Sequence, residues 1–156
     1  MWDWIVANKE WVFSGAGLLA VSLVLAIWRR LTAARPHVVV AAAIGGPLGY
    51  NPQDVLAVTF VNPTSQDIIV TSFRLEFTNG QTLYPRADSL TGDWQQRRNV
   101  KAGDSASFHI AADGLREAGR PLSDYRCALI DDAIGRHYRS ATRPLRRALQ
   151  LVLERD

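Results

Sequence analysis

What this sequence lacks narrows the reading first. Its one cysteine, Cys127, excludes an intramolecular disulfide framework and fits a reducing compartment. Lysine is nearly absent: sixteen of the eighteen basic residues are arginine. Gly45, Gly46 and Gly49 come without the lysine and the following helix that a phosphate-binding loop needs. His37, His109 and His137 stand far apart and show no metal-ligand spacing. Asp131 and Asp132 are neighbours, and neighbouring carboxylates on a strand point to opposite faces, so they form no acid–base pair. The segment Gly103-Asp104-Ser105-Ala106 reads as a turn entering a strand, not as the strand-to-helix elbow of a nucleophilic serine. The sequence therefore nominates no catalytic residue, no metal ligand and no cofactor.

What is present is unevenly distributed. Of 156 residues, 47% are hydrophobic, and residues 11–28 carry no charge. As a helix that run would be about 27 Å long, close to the roughly 30 Å hydrocarbon core of a bilayer. Trp11 and Trp28 bracket it as interfacial rings would, and Arg29, Arg30 and Arg35 follow it. A buried soluble helix would keep a polar stripe, and only Ser14 and Ser22 are polar here. A cleaved signal peptide would carry its basic residues before the run, not after it. The reading is a transmembrane anchor over residues 1–28, then a basic linker over 29–37. Because one Lys precedes the run and three Arg follow it, the N-terminus is expected outside and the rest in the cytosol, at the inner membrane. The spacings Ala16-x-x-x-Ala20 and Ser22-x-x-x-Ala26 are of the small-residue type that lets helices approach closely.

Beyond Pro36 the hydrophobic period becomes two. Residues 38–44 and 55–61 are apolar runs of strand length, the second apolar on both faces and so central in its sheet. In IIVTSFRLEF the alternation puts Ile69, Thr71, Phe73, Leu75 and Phe77 on one face. Asn79-Gly80 signals a hairpin with a two-residue type I′ turn. Residues 85–104 read as a polar excursion. Ala106, Phe108 and Ile110 then point inward, and His109 faces solvent. A helical turn follows with Leu115 inward, and 125–140 form a closing hairpin. About seven short strands over residues 38–142 predict an antiparallel, immunoglobulin-like β-sandwich.

The tail changes period again. Leu145, Ala148, Leu149 and Val152 fall on one helix face within residues 143–156, with Arg143, Arg146 and Arg147 near its start. That helix would either pack on the sandwich or present its arginines to lipid or to a partner. The basic tail lacks the interleaved aromatics of a nucleic-acid module, so nucleic acid is not expected.

The segment NKEWVFSGAG with the apolar run behind it resembles the N-terminal anchors of small bacterial membrane proteins, some of them associated with conflict or defence. LAVTFVN, TNGQTLY, VKAGDSASF, GLREAG and IDDAIGRHYRS resemble uncharacterised bacterial immunoglobulin-like sandwiches. The resemblance implies a fold and a bacterial source; no catalytic residue comes with it. The resulting expectation is a non-enzymatic, mainly β, single-pass membrane protein. It would hold the bilayer through residues 11–28 and present a cytosolic sandwich to a protein partner. The alternative is a defence- or toxin-like effector that oligomerises through the span when the sandwich senses a trigger, and a more remote one is a small enzyme.

Overall fold

The structure is a computed structural model, and it describes residues 15–32, 34–45, 53–85, 87–92 and 97–154. The chain divides into two units between Ala34 and Arg35.

The first unit contains α1, Gly15–Thr32. Its sequence is rich in Leu, Ala and Val, and it holds no acidic residue. This element corrects the expected transmembrane anchor. Residues 11–14, Trp11 among them, lie outside the described residues, and α1 runs on through Arg29 and Arg30. Its described uncharged part, residues 15–28, is about 21 Å long as a helix, short of the roughly 30 Å that a span requires. Among the described residues no helix is long and apolar enough to cross a membrane.

The second unit holds two antiparallel sheets. β1 (His37–Gly45), β2 (Gln53–Val61) and β6 (Ser105–Ala111) form one, with β2 central. The other has β4 (Thr82–Leu83), β3 (Ile68–Phe77), β7 (Tyr125–Asp132) and β8 (His137–Arg139) in that order, and β5 (Arg98–Val100) pairs with the far end of β3. The sheets pack face to face through their large rings. Phe73 of β3 stacks on Phe108 of β6 at 5.4 Å between centroids, and Phe60 of β2 meets Tyr138 of β8 at 4.9 Å. Leu56, Val58, Val70, Leu75 and Ile130 fill the same layer.

Two local irregularities correct the sequence reading. Val70 pairs with Asp132 and Ser72 with Asp131, so Thr71 is an extra residue, a β-bulge. A bulge reverses the facing of everything before it. Phe73, Leu75 and Phe77 are buried as the alternation requires, but Val70 takes the inward place while Ile69 and Thr71 are exposed. At the β3–β4 hairpin, only Gly80 has positive φ (82°), and the Gly80 N–H donates to the Phe77 carbonyl at 3.0 Å. The loop is therefore a three-residue turn with glycine in the left-handed position, not a type I′ pair.

Short helices complete the unit. α2 (Ala112–Glu117) buries Leu115 and ends at Gly119, whose φ of 59° reverses the chain. α3 (Thr142–Leu153) buries Leu145, Ala148, Leu149 and Val152 and contacts β1, β2 and β7, so it fills the open side between the two sheets. Arg146 belongs to this packing. Its Nε donates to the Tyr125 carbonyl at 3.0 Å and its Nη2 to the Ser123 carbonyl at 2.5 Å.

The bulge makes a direct test possible. Phe73→Ala should cost about 3–5 kcal/mol, because a fully buried ring is lost. Ile69→Ala, on an exposed side chain, should cost less than about 1 kcal/mol. Urea denaturation of both variants measures this, and comparable losses would place Ile69 in the core after all.

Candidate functional site

Two clusters of polar side chains stand out, each assembled from distant parts of the sequence. The first lies on the outer face of β3, β7 and β8. The Thr71 bulge sets Ser72 opposite Asp131, and the β7–β8 pairing sets His137 opposite the same residue. Ser72 Oγ donates to Asp131 Oδ2 at 2.5 Å, and the Arg74 guanidinium bonds the same oxygen. His137 Nδ1 lies 2.5 Å from Oδ1. Burial opposes the charge on Asp131, but the bonds from Ser72 and His137 and the charge of Arg74 outweigh it and hold the carboxyl below its ordinary value. Arg74 also lies over the Tyr84 ring, 5.7 Å from its centroid.

The chemistry of this cluster is that of a clamp. Asp131 takes the Ser72 hydroxyl proton on one oxygen and faces His137 with the other, so the imidazole is not placed on the Ser72 hydroxyl. Beside the cluster, Glu76 accepts from Arg126 at 2.8 Å and lies 3.7 Å from Cys127 Sγ. Burial first, and then the Glu76 charge, push the Cys127 thiol up, away from the reactive thiolate. Asp132, on the other side of the strand, accepts from the Ile134 and Arg136 N–H groups and from the Tyr138 hydroxyl, and so shapes the β7–β8 turn.

The second cluster guards the free edge of β6. An unpaired edge strand invites pairing with another chain. Here the edge groups are already used. The His109 N–H donates to Asp88 Oδ2 at 3.0 Å, and its carbonyl accepts from the Ser89 N–H at 3.0 Å. The Ala111 N–H donates to Ser89 Oγ, and Arg98 Nη1 donates to the Ser107 carbonyl. Asp88 is the hub, its side chain 3% exposed. It accepts from the Leu90 and Thr91 N–H groups and lies 3.1 Å from His109 Nδ1. Burial raises its affinity for a proton. The His109 bond and the two backbone N–H groups more than offset this and hold the carboxyl well below the usual carboxylate range. Leu90 is seated over Gly45, where a Cβ would come within 2.8 Å of its side chain. The expected solvent-facing His109 is thus corrected: it is tied into this guard, and the polar excursion is the segment that supplies it.

The residues singled out from the sequence are dispersed. Trp28 is exposed on α1, Arg29 and Arg30 belong to its last turn, and Arg35 is exposed ahead of β1. Ala16, Ala20, Ser22 and Ala26 all lie on α1, the last two exposed. Arg143 and Arg147 are exposed on α3, but Arg146 is half-buried in the fold, so the three do not form one free basic surface. Among the described residues no group of three or more His, Cys, Asp or Glu is placed to hold a metal ion.

The depressed Asp88 predicts acid sensitivity with a definite sign. A carboxylate whose folded value lies below its unfolded one stabilises the fold above about pH 4, and that contribution is lost as pH falls further. Asp88→Asn should therefore cost about 1–3 kcal/mol at pH 7. It should also reduce the loss of stability between about pH 5 and pH 2. Urea titrations at stepped pH measure both effects, and an unchanged acid slope would remove Asp88 from the account. The chain matches no protein-family model and no curated protein.

Proposed function

We propose that this chain is a non-enzymatic interaction protein, in which the two-sheet unit is the recognition element and α1 associates with α1 of a second copy. The observation that carries this reading is the exposure of α1. Leu19, Val21, Leu23, Val24, Leu25 and Ile27 are each at least half exposed. They lie all round the helix rather than along one stripe, and a helix that is apolar on every side is normally covered. Covering each side chain gains about 1–2 kcal/mol. The small residues Ser22 and Ala26, exposed one turn apart, mark the side on which a second helix can approach most closely. The saturated polar clusters of the two-sheet unit support a binding role over a catalytic one, since both reactive-looking sets are spent on holding strands together.

Cysteine crosslinking in cells tests the association. In a full chain carrying Cys127→Ser, Ala26→Cys should form oxidised dimers readily. Val24→Cys, on the opposite side of α1, should form few. Equal crosslinking at both positions, or none at either, would contradict a specific α1–α1 contact.

A further inference from the structure

A cleft of about 400 Å³ opens at the end of the sheets that carries the β3–β4 hairpin, lined by Phe77, Gln81, Thr82, Leu83, Ala118 and Arg120. Its construction begins with Gly119. The left-handed glycine ends α2 and turns the chain, which carries Arg120 back over the hairpin. The Arg120 guanidinium lies over the Phe77 ring, 5.4 Å from the centroid, and its Nη2 donates to Gln81 Oε1 at 2.5 Å. Gln81 Oε1 also accepts from Asn79 Nδ2 at 3.1 Å, so the acceptor end of this amide is spent and its N–H groups remain. Among the described residues no carboxylate pairs with Arg120.

The floor is rigid. Phe77 is buried and its ring is met edge-on by Tyr125 at 5.0 Å. Tyr125 is itself fully buried, and its hydroxyl has no hydrogen-bond partner among the described residues. The cleft thus joins a ring-stacked guanidinium, an amide with donors to offer and a threonine hydroxyl to an apolar floor of Phe77, Leu83 and Ala118. Among the described residues that line it, none is acidic. A planar guanidinium matches a carboxylate in shape and charge, and one cation does not balance a doubly charged phosphate.

We propose that this cleft binds a carboxylate carried on a short apolar or aromatic group, the carboxylate on Arg120 and Gln81 and the apolar group against Leu83 and Ala118, beside Phe77. The site is independent of α1 association. Two sources supply this chemistry, a free small carboxylic acid and the C-terminus of a peptide ending in an apolar residue.

Amide chemical shifts of the ¹⁵N-labelled full-length protein test it, with 4-phenylbutyrate and N-acetyl-Gly-Leu as probes and their amides as controls. At least one carboxylate should give saturable shifts at residues 77–83 and 118–120, with a Kd of about 1 mM. Its amide should give none. Saturation by phenylbutyrate alone identifies the small-acid source, and saturation by the peptide alone the C-terminal source; either supports the site. Arg120→Gln should weaken binding about tenfold or more, since a charge-assisted pair is lost. Arg116→Gln, outside the cleft, should bind as the parent does. Unfolding of each variant is measured alongside, and a smaller Thr82→Ala change gives a second reading if Arg120→Gln is destabilised. Saturation by an amide as strong as by its acid, indifference to both cleft substitutions, or no saturable shift with either carboxylate would overturn the proposal.

Discussion

Burial of the α3 stripe between the two sheets is the interaction on which the rest of the folded unit depends. The sheets themselves are slight: β4 has two residues, and β5 and β8 have three each. On the side where β1 and β7 approach, no further strand joins them among the described residues, and without α3 the inner faces would meet water. Leu145, Leu149 and Val152 are fully buried there and Ala148 nearly so. Each large aliphatic side chain contributes about 1.5–3 kcal/mol, a substantial part of the 5–15 kcal/mol that holds a typical domain together. Arg146 fixes the helix in place by donating to two carbonyls at the start of β7. Its stem and head are thereby committed to structure, while Arg143 and Arg147 remain at the surface.

With that side closed, the remaining weak points are edges and turns, and polar side chains attend to them. Asp88, Ser89 and Arg98 occupy the free edge of β6. Asp131 draws β3 and β8 onto β7 from outside, and Asp132 orders the turn from within. Asn62, fully buried at the end of β2, donates to the carbonyls of Gln66, Val100 and Lys101 and so joins that end to β5. Buried carboxylates and amides in such positions are costly to leave unpaired, and each here has its partners. The Arg120 guanidinium differs: among the described residues its partners are a neutral amide and a ring, and no carboxylate pairs with it.

Much of the second unit is legible in the local pattern because its determinants are local. The period of two places Phe73, Leu75, Phe77, Phe108 and Ile110 inside, and the period of 3.6 finds the buried stripe of α3. The reading fails where one extra residue shifts a register. Nothing in IIVTSF announces that Thr71 bulges, because the bulge is set by pairing with a strand some sixty residues away. Asn79-Gly80 is a hairpin signal, yet the number of loop residues follows from where β4 pairs with β3. The Asp88–His109 and Ser72–Asp131 contacts span 21 and 59 residues, beyond any spacing rule. The cleft at Arg120 escaped for the same reason, although Gly119 before it was a usable sign of a chain reversal. The apolar run at 11–28 reads as a span on hydropathy summed over its length, whereas among the described residues no helix is long and apolar enough to cross a membrane.

The central claim, that α3 is integral to the two-sheet core, is tested most directly by native-state hydrogen exchange on Leu149→Ala in the full chain. A buried leucine truncated to alanine loses about 2–5 kcal/mol. The account requires the amides of β1, β2 and β7 to lose protection together with those of α3, by one common free energy. Loss confined to α3, with the strand amides exchanging as slowly as before, would show that the sheets hold without the helix and would contradict it.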